Sequence, residues 1–366
     1  MRTVDPRRLE SAARELGDAV LDPGVWPRIM EQISEAAGAT GAALLQTDVR
    51  TPDIPRTASV DECFKYYFAS GWQTHDTRAE RSVPLLMRGQ TVVTDQDIVT
   101  PEEMRRLDFY NQCALPFGLP WFAGIGLRAG PALWAMVIQR TAQQGPFAPA
   151  EARLLATLSD RLTEVATLST AVGRVALVSA TQALDRVGQP AVAVGRAGNV
   201  IEANSGSERF FDTELYIDKC GRLRARDARA DAALHTLFDQ LCVAPDTEQL
   251  KTAPIVVRSK DKASVIIRAL PIPGAARVPF GGARALLTFA LIEQTCGPDA
   301  QLISDVFGLT RAEAEVAAMV VQGKSLAAIA DARGIARVTA RNQIRTILAK
   351  TGTHRQSELV ALLSRL

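Results

Sequence analysis

The chain has few of the residues that hold a fold together through covalent bonds or metal ions. Its 366 residues include five cysteines and three histidines. The cysteines are odd in number, widely spaced and without a C-x-x-C pair; they are Cys63, Cys113, Cys220, Cys242 and Cys296. This pattern predicts reduced, mostly buried thiols rather than a disulfide framework or a zinc site. The histidines are equally scattered, so we expect no metal centre.

Long apolar runs are also absent from the sequence. The longest, such as residues 131–138, have the length of a strand, whereas a membrane span needs about 18 apolar residues. The N-terminus is basic but no apolar stretch follows it, which argues against a signal peptide. We therefore expect a cytoplasmic protein with no membrane partner.

The net charge of +2 is small, but it hides a local excess. Residues 306–366 contain nine Lys or Arg and four acids, so this segment carries +5 and the remainder −3. Concentrated basic charge is the electrostatic footprint of a protein that binds nucleic-acid phosphates. At about 150 residues per domain, the length predicts two or three domains.

The first block of sequence predicts an α+β module in which helices cover an antiparallel sheet. Apolar residues at helical spacing favour two helices, a short apolar run favours a strand, and a Gly-Pro turn separates two further strands. A closing helix follows near Pro149. In order, the predicted helices, strand and hairpin strands cover residues 9–20, 26–37, 41–45, 121–128 and 132–140.

The closing helix is expected to be long, because residues 151–184 contain no proline. A stripe of six apolar residues has the three- and four-residue spacing of a coiled coil; it consists of Leu158, Leu162, Val165, Leu168, Val172 and Val175. Alternatively, the helix packs on its own domain and bends near Gly173, where the next helix begins. Glycine costs about 1 kcal/mol inside a helix, so both interpretations stay open.

The second block predicts two strands, then helices, then three strands. The strands are expected at residues 191–194, 200–203, 254–258, 264–269 and 285–292, with a helix around 232–241. Asn204 closes the second strand and is typical of a helix cap. This order resembles a PAS domain over about residues 181–294. The first block resembles a GAF-type domain at residues 26–30, 41–45 and 145–151.

The basic C-terminal segment predicts four short helices. Thr310 and Glu313 form a capping-box pair at the first, and Ser325 caps the second, which covers residues 326–333. Gly334 provides a tight turn before a third helix at 337–350, which ends near Gly352. The fourth helix is expected to begin near Arg355. Two helices joined by such a turn are typical of a helix-turn-helix.

This segment resembles the LuxR/GerE-type helix-turn-helix of bacterial transcription factors. Matching positions are Leu309, Thr310, Glu313, Glu315, Val316, Gly323, Ser325, Ile329, Ala330, Gly334, Ile335, Thr339, Ile344, Lys350, Gly352, Arg355 and Glu358. Four positions depart from the family pattern, namely Ala312, Arg333, Ala336 and Ala340. Ala336 lies where a serine commonly caps the third helix, and loss of that cap could cost about 1 kcal/mol of helix stability.

The resemblance implies which residues contact DNA. Arg341, Asn342 and Arg345 lie on the third helix where the family reads base edges, and arginine and asparagine can bind guanine and adenine bidentately. Contacts to the DNA backbone, or positioning of the helix, are expected from Ser325, Arg337, Thr339, Gln343, Lys350 and Arg355. The alternative is that Arg341 and Arg345 form only a solvated helix face.

Aromatic residues gather in the first block, where twelve of the twenty lie between Phe64 and Phe147. They could line an apolar site for a small molecule, or they could simply form the core. The candidate pocket residues are Tyr66, Tyr67, Trp72, His75, Asp76, Tyr110 and Trp121. The sequence indicates neither the ligand nor a cofactor, so the cofactor is unknown.

Together these features predict a multidomain α+β sensor-regulator that is not an enzyme. Its expected parts are a GAF-like domain at residues 1–170, a PAS-like domain with its connecting helix at 171–300, and an all-α LuxR-type domain at 301–366. Double-stranded DNA, a second copy of the chain, a small-molecule effector and RNA polymerase are the expected partners. Two rival hypotheses are a dimerisation scaffold with an appended DNA-binding module, and a cysteine-dependent enzyme that uses Cys63 or Cys113 with His75.

Overall fold

The computed structural model describes residues 3–47, 51–211, 214–243, 253–258, 263–272, 274–292, 299–364 and 366. Contacts divide the chain into two compact units. The first comprises residues 1–258 and 266–290, and the second comprises residues 259–265 and 291–366. The first block and most of the second therefore lie in the first unit, and the basic segment lies in the second.

A four-stranded antiparallel sheet forms the centre of the first block. Its strands are β1 (Gly41–Gln46), β2 (Val92–Thr94), β3 (Trp121–Ala129) and β4 (Ala132–Arg140), in the order β1-β4-β3-β2. The predicted strand and hairpin are confirmed. Strand β2 was not predicted, because three residues are too few to show an alternating pattern.

Helices cover both faces of this sheet. One face carries α1 (Pro6–Glu15), α2 (Trp26–Ala36), α7 (Pro149–Ala156) and part of α8 (Leu158–Arg186). The other carries α3 (Asp61–Ala69), α4 (Thr77–Met87), α5 (Asp95–Ile98), α6 (Pro101–Arg106) and a π-helical turn, Phe109–Ala114. Strand β4 shows the division, since Trp134 and Met136 join the first core while Ala135 joins the second. Because both faces of the sheet are covered by helices, most residues of β3 and β4 are buried.

The closing helix breaks at a different place from the one suggested by the sequence. Helix α7 ends at Ala156, whereas α8 continues through Gly173 without interruption, so the alternative in which a new helix begins near Gly173 is wrong. A Cβ atom at Gly173 would lie 2.7 Å from the Ala275 carbonyl oxygen. The glycine therefore permits close approach of the 3₁₀ turn Gly274–Arg277.

The apolar stripe of α8 is divided between core and surface. Leu158, Leu162 and Val165 are buried in the first core. Leu168 and Val175 are instead 47% and 67% exposed. The first turns of the helix therefore pack on their own block, as one of the two interpretations expected.

A five-stranded sheet forms the second block, in the order β6-β5-β11-β10-β9, and β5 pairs antiparallel with both β6 and β11. All five predicted strands are confirmed, and Asn204 caps the following 3₁₀ turn by accepting a hydrogen bond from Ser207 N. A further hairpin, β7 to β8, lies in a stretch that the sequence analysis left without structure. The elements are β5 (Ala191–Val194), β6 (Val200–Ala203), β7 (Leu215–Ile217), β8 (Leu223–Ala225), α9 (Ala228–Val243), β9 (Ile255–Val257), β10 (Ser264–Pro271) and β11 (Ala285–Ile292).

The C-terminal unit has five helices among the described residues, not four. They are α10 (Ala300–Phe307), α11 (Arg311–Val321), α12 (Leu326–Arg333), α13 (Arg337–Thr351) and α14 (Gln356–Leu363). Helix α10 was not predicted; it contributes Ile303 to the core of this unit. Within the described residues, no helix is long and apolar enough to cross a bilayer.

Candidate nucleic-acid interface and buried cavity

Helices α12 and α13 form the predicted helix-turn-helix. The Ser325 hydroxyl accepts a hydrogen bond from Ala328 N at 3.2 Å and so caps α12. Gly334 ends that helix with a φ of 63°, in the left-handed region that favours glycine. Helix α13 begins after Ala336 without a side-chain cap, as the departure from the family pattern predicted.

Helix α13 presents one face to the core and one to solvent. Ala340, Ile344 and Ile347 are buried at helical spacing and join the core of the unit. Ala340 is fully buried, so a small residue suits this position. The burial of this stripe leaves the opposite face of the helix exposed to solvent.

The three candidate base-reading residues all lie on the solvent-facing side. Arg341, Asn342 and Arg345 are exposed, and so are Arg337 and Thr339. Neither Arg341 nor Arg345 forms an ion pair with any of the described residues. Their guanidinium groups are therefore available for a planar, bidentate contact.

Two acidic residues of the unit, Glu313 and Glu315, pair with other cations. Glu313 accepts a hydrogen bond from Lys350 Nζ at 2.7 Å, and this bond, followed by one from Thr310 N, lowers the pKa of Glu313 below its usual range. Glu315 pairs with Arg333 and Arg311. Lys350 thus ties α13 to α11, and the unusual Arg333 ties α12 to α11.

The remaining predicted positioning residues have different surroundings. Arg355 is exposed at the N-cap of α14. Gln343 is half-buried, and its Oε1 has no hydrogen-bond partner in the part of the chain that the structure describes. The nine candidate DNA-contact residues therefore lie on or beside the helix-turn-helix, and Lys350 is engaged within the protein.

The similarities between this chain and solved structures are weak. No family model and no curated protein matches the sequence. A phage VqmA–DPO complex is 16% identical and matches 52% of this chain and 88% of its own, at a TM-score of 0.24. Vibrio cholerae VqmA, described as a LuxR-type receptor, is 15% identical. The match covers 49% of this chain and 86% of the VqmA chain, at a TM-score of 0.19. The E. coli DhaR(N)–DhaL complex is 12% identical. The match covers 78% of this chain and 88% of the other, at a TM-score of 0.23. Scores this low carry no statement about the fold or function of this chain.

A cavity lies in the first block between the sheet and helices α3 and α4. The space inside it that is open to water-sized groups is about 60 Å³, which is enough for several such groups. The walls are mainly apolar, and a few polar side chains interrupt them. Those polar residues include Asp76, Arg78, Ser82, Gln139 and the two cysteines Cys63 and Cys113.

A buried ionic network supports one side of the cavity. Arg78 Nε donates to Asp95 Oδ1 at 3.1 Å, and the Tyr110 hydroxyl donates to the same oxygen at 2.7 Å. The guanidinium also lies 4.8 Å from the centre of the Phe122 ring. Burial raises the pKa of Asp95 and of Tyr110, although the charge of Arg78 opposes both shifts. These bonds fix the orientation of Arg78 at the cavity wall.

Two of the predicted pocket residues line the cavity. Tyr67 and Asp76 do so, and the Tyr67 hydroxyl donates to Asp76 Oδ2 at 3.0 Å. Tyr110 is buried behind Arg78, in the network with Asp95.

The other predicted pocket residues lie outside the lining. Tyr66 is 39% exposed and packs on Phe117, while Trp72 packs edge-on against Phe109. His75 is exposed, and Trp121 is half-buried at the start of β3.

The sequence analysis missed several residues that shape the cavity. Arg78 resembles an ordinary charge on an amphipathic helix, and Gln139 resembles an outward-facing residue near the end of a strand. Gly124 and Ala135 contribute small surfaces to the floor. Aromatic content was the only sequence signal, and it did not identify these four.

The two thiols of the first block are free and form a hydrogen bond with each other. Cys63 and Cys113 are buried, and a hydrogen bond between them lowers the pKa of Cys63 and raises that of Cys113. Cys220 is exposed in a polar turn, so two of the three cysteines whose side chains the structure describes are buried. Cys296 and the side chain of Cys242 lie outside the described residues. No cluster of three or more metal-ligating side chains occurs in the described part of the chain.

Proposed function

We propose that the protein is a DNA-binding transcriptional regulator of the LuxR type, whose C-terminal unit reads double-stranded DNA through α13. The observation that carries this proposal is the exposed face of α13, where Arg341, Asn342 and Arg345 lie within about one helical turn. Arg341 and Arg345 have no ion-pair partner among the described residues, whereas Glu313 and Glu315 are engaged elsewhere. The helix-turn-helix geometry would insert this face into the major groove.

The first unit is proposed to be the sensor. An antiparallel sheet preceded by α2 and closed by α7 supports the GAF-like assignment. A second antiparallel sheet, with a helical segment between its second and third strands, supports the PAS-like assignment. Binding of an effector in this unit would change how two copies present their recognition helices to a pair of half-sites.

The proposal includes a cytoplasmic homodimer that acts by binding rather than by catalysis and that contacts RNA polymerase. The cysteine-dependent enzyme has little support, because His75 is exposed while Cys63 and Cys113 are buried and bonded to each other. A nucleophilic cysteine needs a base within hydrogen-bond reach, and the cavity lining contains no histidine among the described residues.

Equilibrium binding to DNA tests the proposal. A duplex enriched from a random library would be titrated with the parent, Arg341→Ala and Arg345→Ala proteins, with fluorescence anisotropy as the readout. Each variant should lose about 1–3 kcal/mol of binding free energy on that duplex and less on a random one. Arg153→Ala is the matched control, because it removes the same charge from an exposed position in α7. Equal affinities for all four proteins would contradict the proposal.

A further inference from the structure

Gln139 places an unsatisfied acceptor at the wall of the cavity. Gln139 is only 5% exposed, and its side-chain Oε1 has no hydrogen-bond partner within the described residues. The side chain belongs to the cavity lining, on the face of β4 that also carries Ala135 and Val137. A buried polar atom without a partner is costly, and such atoms commonly mark a missing group. The missing group here is a hydrogen-bond donor.

The charged groups of the cavity already have ion-pair or hydrogen-bond partners within the protein. Arg78 Nε donates to Asp95, and its Nη2 donates to the Pro120 carbonyl oxygen at 2.6 Å. Asp76 accepts from the Tyr67 hydroxyl and from Ala79 N at 3.1 Å. A charged ligand would either break these bonds or enter as an unpaired charge, and a buried unpaired charge is strongly unfavourable. The cavity therefore favours a neutral ligand.

The walls favour a flat, mainly apolar molecule. Aromatic rings from Phe64, Phe109 and Phe122 contribute to the lining, and the floor is formed by the small residues Gly124 and Ala135. A Cβ atom at Gly124 would lie 3.3 Å from the Phe122 ring, so a side chain there would crowd that ring. The aromatic side chains beside these two small residues can make stacking and edge contacts with a ring of the ligand.

A groove at the surface adjoins the cavity. It is lined by Gln73, Thr74 and Glu80, and it shares Asp76 and Ala79 with the cavity. The Oε1 of Gln73 is a second buried acceptor without a described partner. A neutral molecule with a donor could therefore exchange between solvent and the cavity along the N-terminal end of α4.

We propose that this cavity binds a neutral, mainly apolar ring compound with an N–H or O–H donor, which Gln139 Oε1 accepts. Its role as effector rests on the proposed sensor function, but the binding itself does not require DNA. Gln139 is then the residue that selects donor-bearing ligands. A site with a buried, otherwise unpaired acceptor discriminates against analogues that lack the donor.

Two pairs of probes test this selectivity by isothermal titration of the full-length protein without DNA. Indole is compared with 1-methylindole, and 2-naphthol with 2-methoxynaphthalene, because methylation replaces the donor hydrogen with a methyl group and keeps the ring system. In at least one pair the donor-bearing probe should bind about tenfold tighter or more. Absence of binding by all four probes, or equal affinities within both pairs, would overturn the proposal; neither result requires a variant to fold.

Two variants assign the selectivity to this site. Gln139→Met removes the acceptor at similar volume and should bind both members of a pair equally. Gln182→Met is the matched control, since Gln182 is exposed on α8, and it should keep the parent preference. A preference that survives in Gln139→Met would contradict the assignment. Titrations of DNA are run in parallel, so failure of probe binding with intact DNA binding refutes only the cavity, and the opposite result refutes only the regulator.

Discussion

Arg284 Nε donates to Asp53 Oδ2 at 2.7 Å, and both side chains are almost completely buried, at 2% and 1% exposure. The two residues join the first block to the second, across 231 positions of sequence. Arg196 lies on the other side of the carboxylate, 3.4 Å from Oδ1. Nearby, Phe280 of the second block packs edge-on against Trp134 of β4. The opposite face of β4 borders the cavity, so one strand contacts both the cavity and the second block.

Removal of Asp53 should strongly destabilise the first unit. The Asp53→Ala variant leaves the guanidinium groups of Arg196 and Arg284 buried without their counter-ion. Loss of one partner from a buried ion pair typically costs about 3–5 kcal/mol. Urea unfolding of the first unit measures the effect. Asp239→Ala, at an exposed position of α9, should change stability far less; equal effects of the two substitutions would contradict the buried ion pair.

Acid should weaken this contact. Burial alone would raise the pKa of Asp53, but Arg284 and Arg196 together lower it below its ordinary value. A depressed pKa means that the folded state binds the proton less readily than the unfolded state does. The stabilisation is therefore complete above the unfolded pKa of about 3.9 and is lost as the pH falls towards the folded value.

Unfolding free energies measured from pH 6 downwards test this prediction. The difference between the parent and Asp53→Ala should shrink as the pH falls below about 4. A difference that stays constant over this range would show that the charge of Asp53 is not responsible. Asp239→Ala, measured in parallel, should show no comparable change.

Alanine at position 173 should be unfavourable, in contrast to its usual effect in helices. Glycine to alanine inside a helix normally stabilises by about 1 kcal/mol. At Gly173, however, the new Cβ atom would lie 2.7 Å from the Ala275 carbonyl oxygen. Gly173→Ala should therefore lower the unfolding temperature. Gly17→Ala is the control, because nothing lies within 4 Å of a Cβ atom there; a gain of stability from Gly173→Ala would refute the close contact.

A serine at position 336 should restore the missing cap of α13. Ala336 has the extended backbone of an N-cap, with φ −67° and ψ 147°, but its side chain cannot accept a hydrogen bond. Ala336→Ser should stabilise the C-terminal unit by about 1 kcal/mol. Ala349→Ser, at an exposed position within α13, should be neutral or slightly unfavourable. Thermal unfolding of both variants checks the difference, and no gain from Ala336→Ser would contradict the assigned cap position.

Local patterns in the sequence predicted local structure well. The capping box of Thr310 and Glu313, the left-handed Gly334 and the β3–β4 hairpin are all present. Each depends on residues that are close in sequence, so a short window contains the whole signal.

Features that depend on distant residues were not predictable. Nothing near Arg78 indicates that it meets Asp95, and nothing near Asp53 indicates Arg284. The cavity is likewise formed by small residues on strands and by rings on helices, which come together only in the tertiary fold. Four of the five predicted aromatic pocket residues lie outside the cavity lining, since aromatic content alone does not separate a core from a binding site.

Selection of DNA sequences from a random library tests the central claim most directly. The full-length parent should enrich a motif with two half-sites about one helical turn apart. Arg341→Ala should enrich the same motif with one base pair in each half-site relaxed, while Arg153→Ala should enrich the parent motif unchanged. Recovery of no motif by the parent, or of an identical motif by Arg341→Ala, would contradict DNA reading by the exposed face of α13.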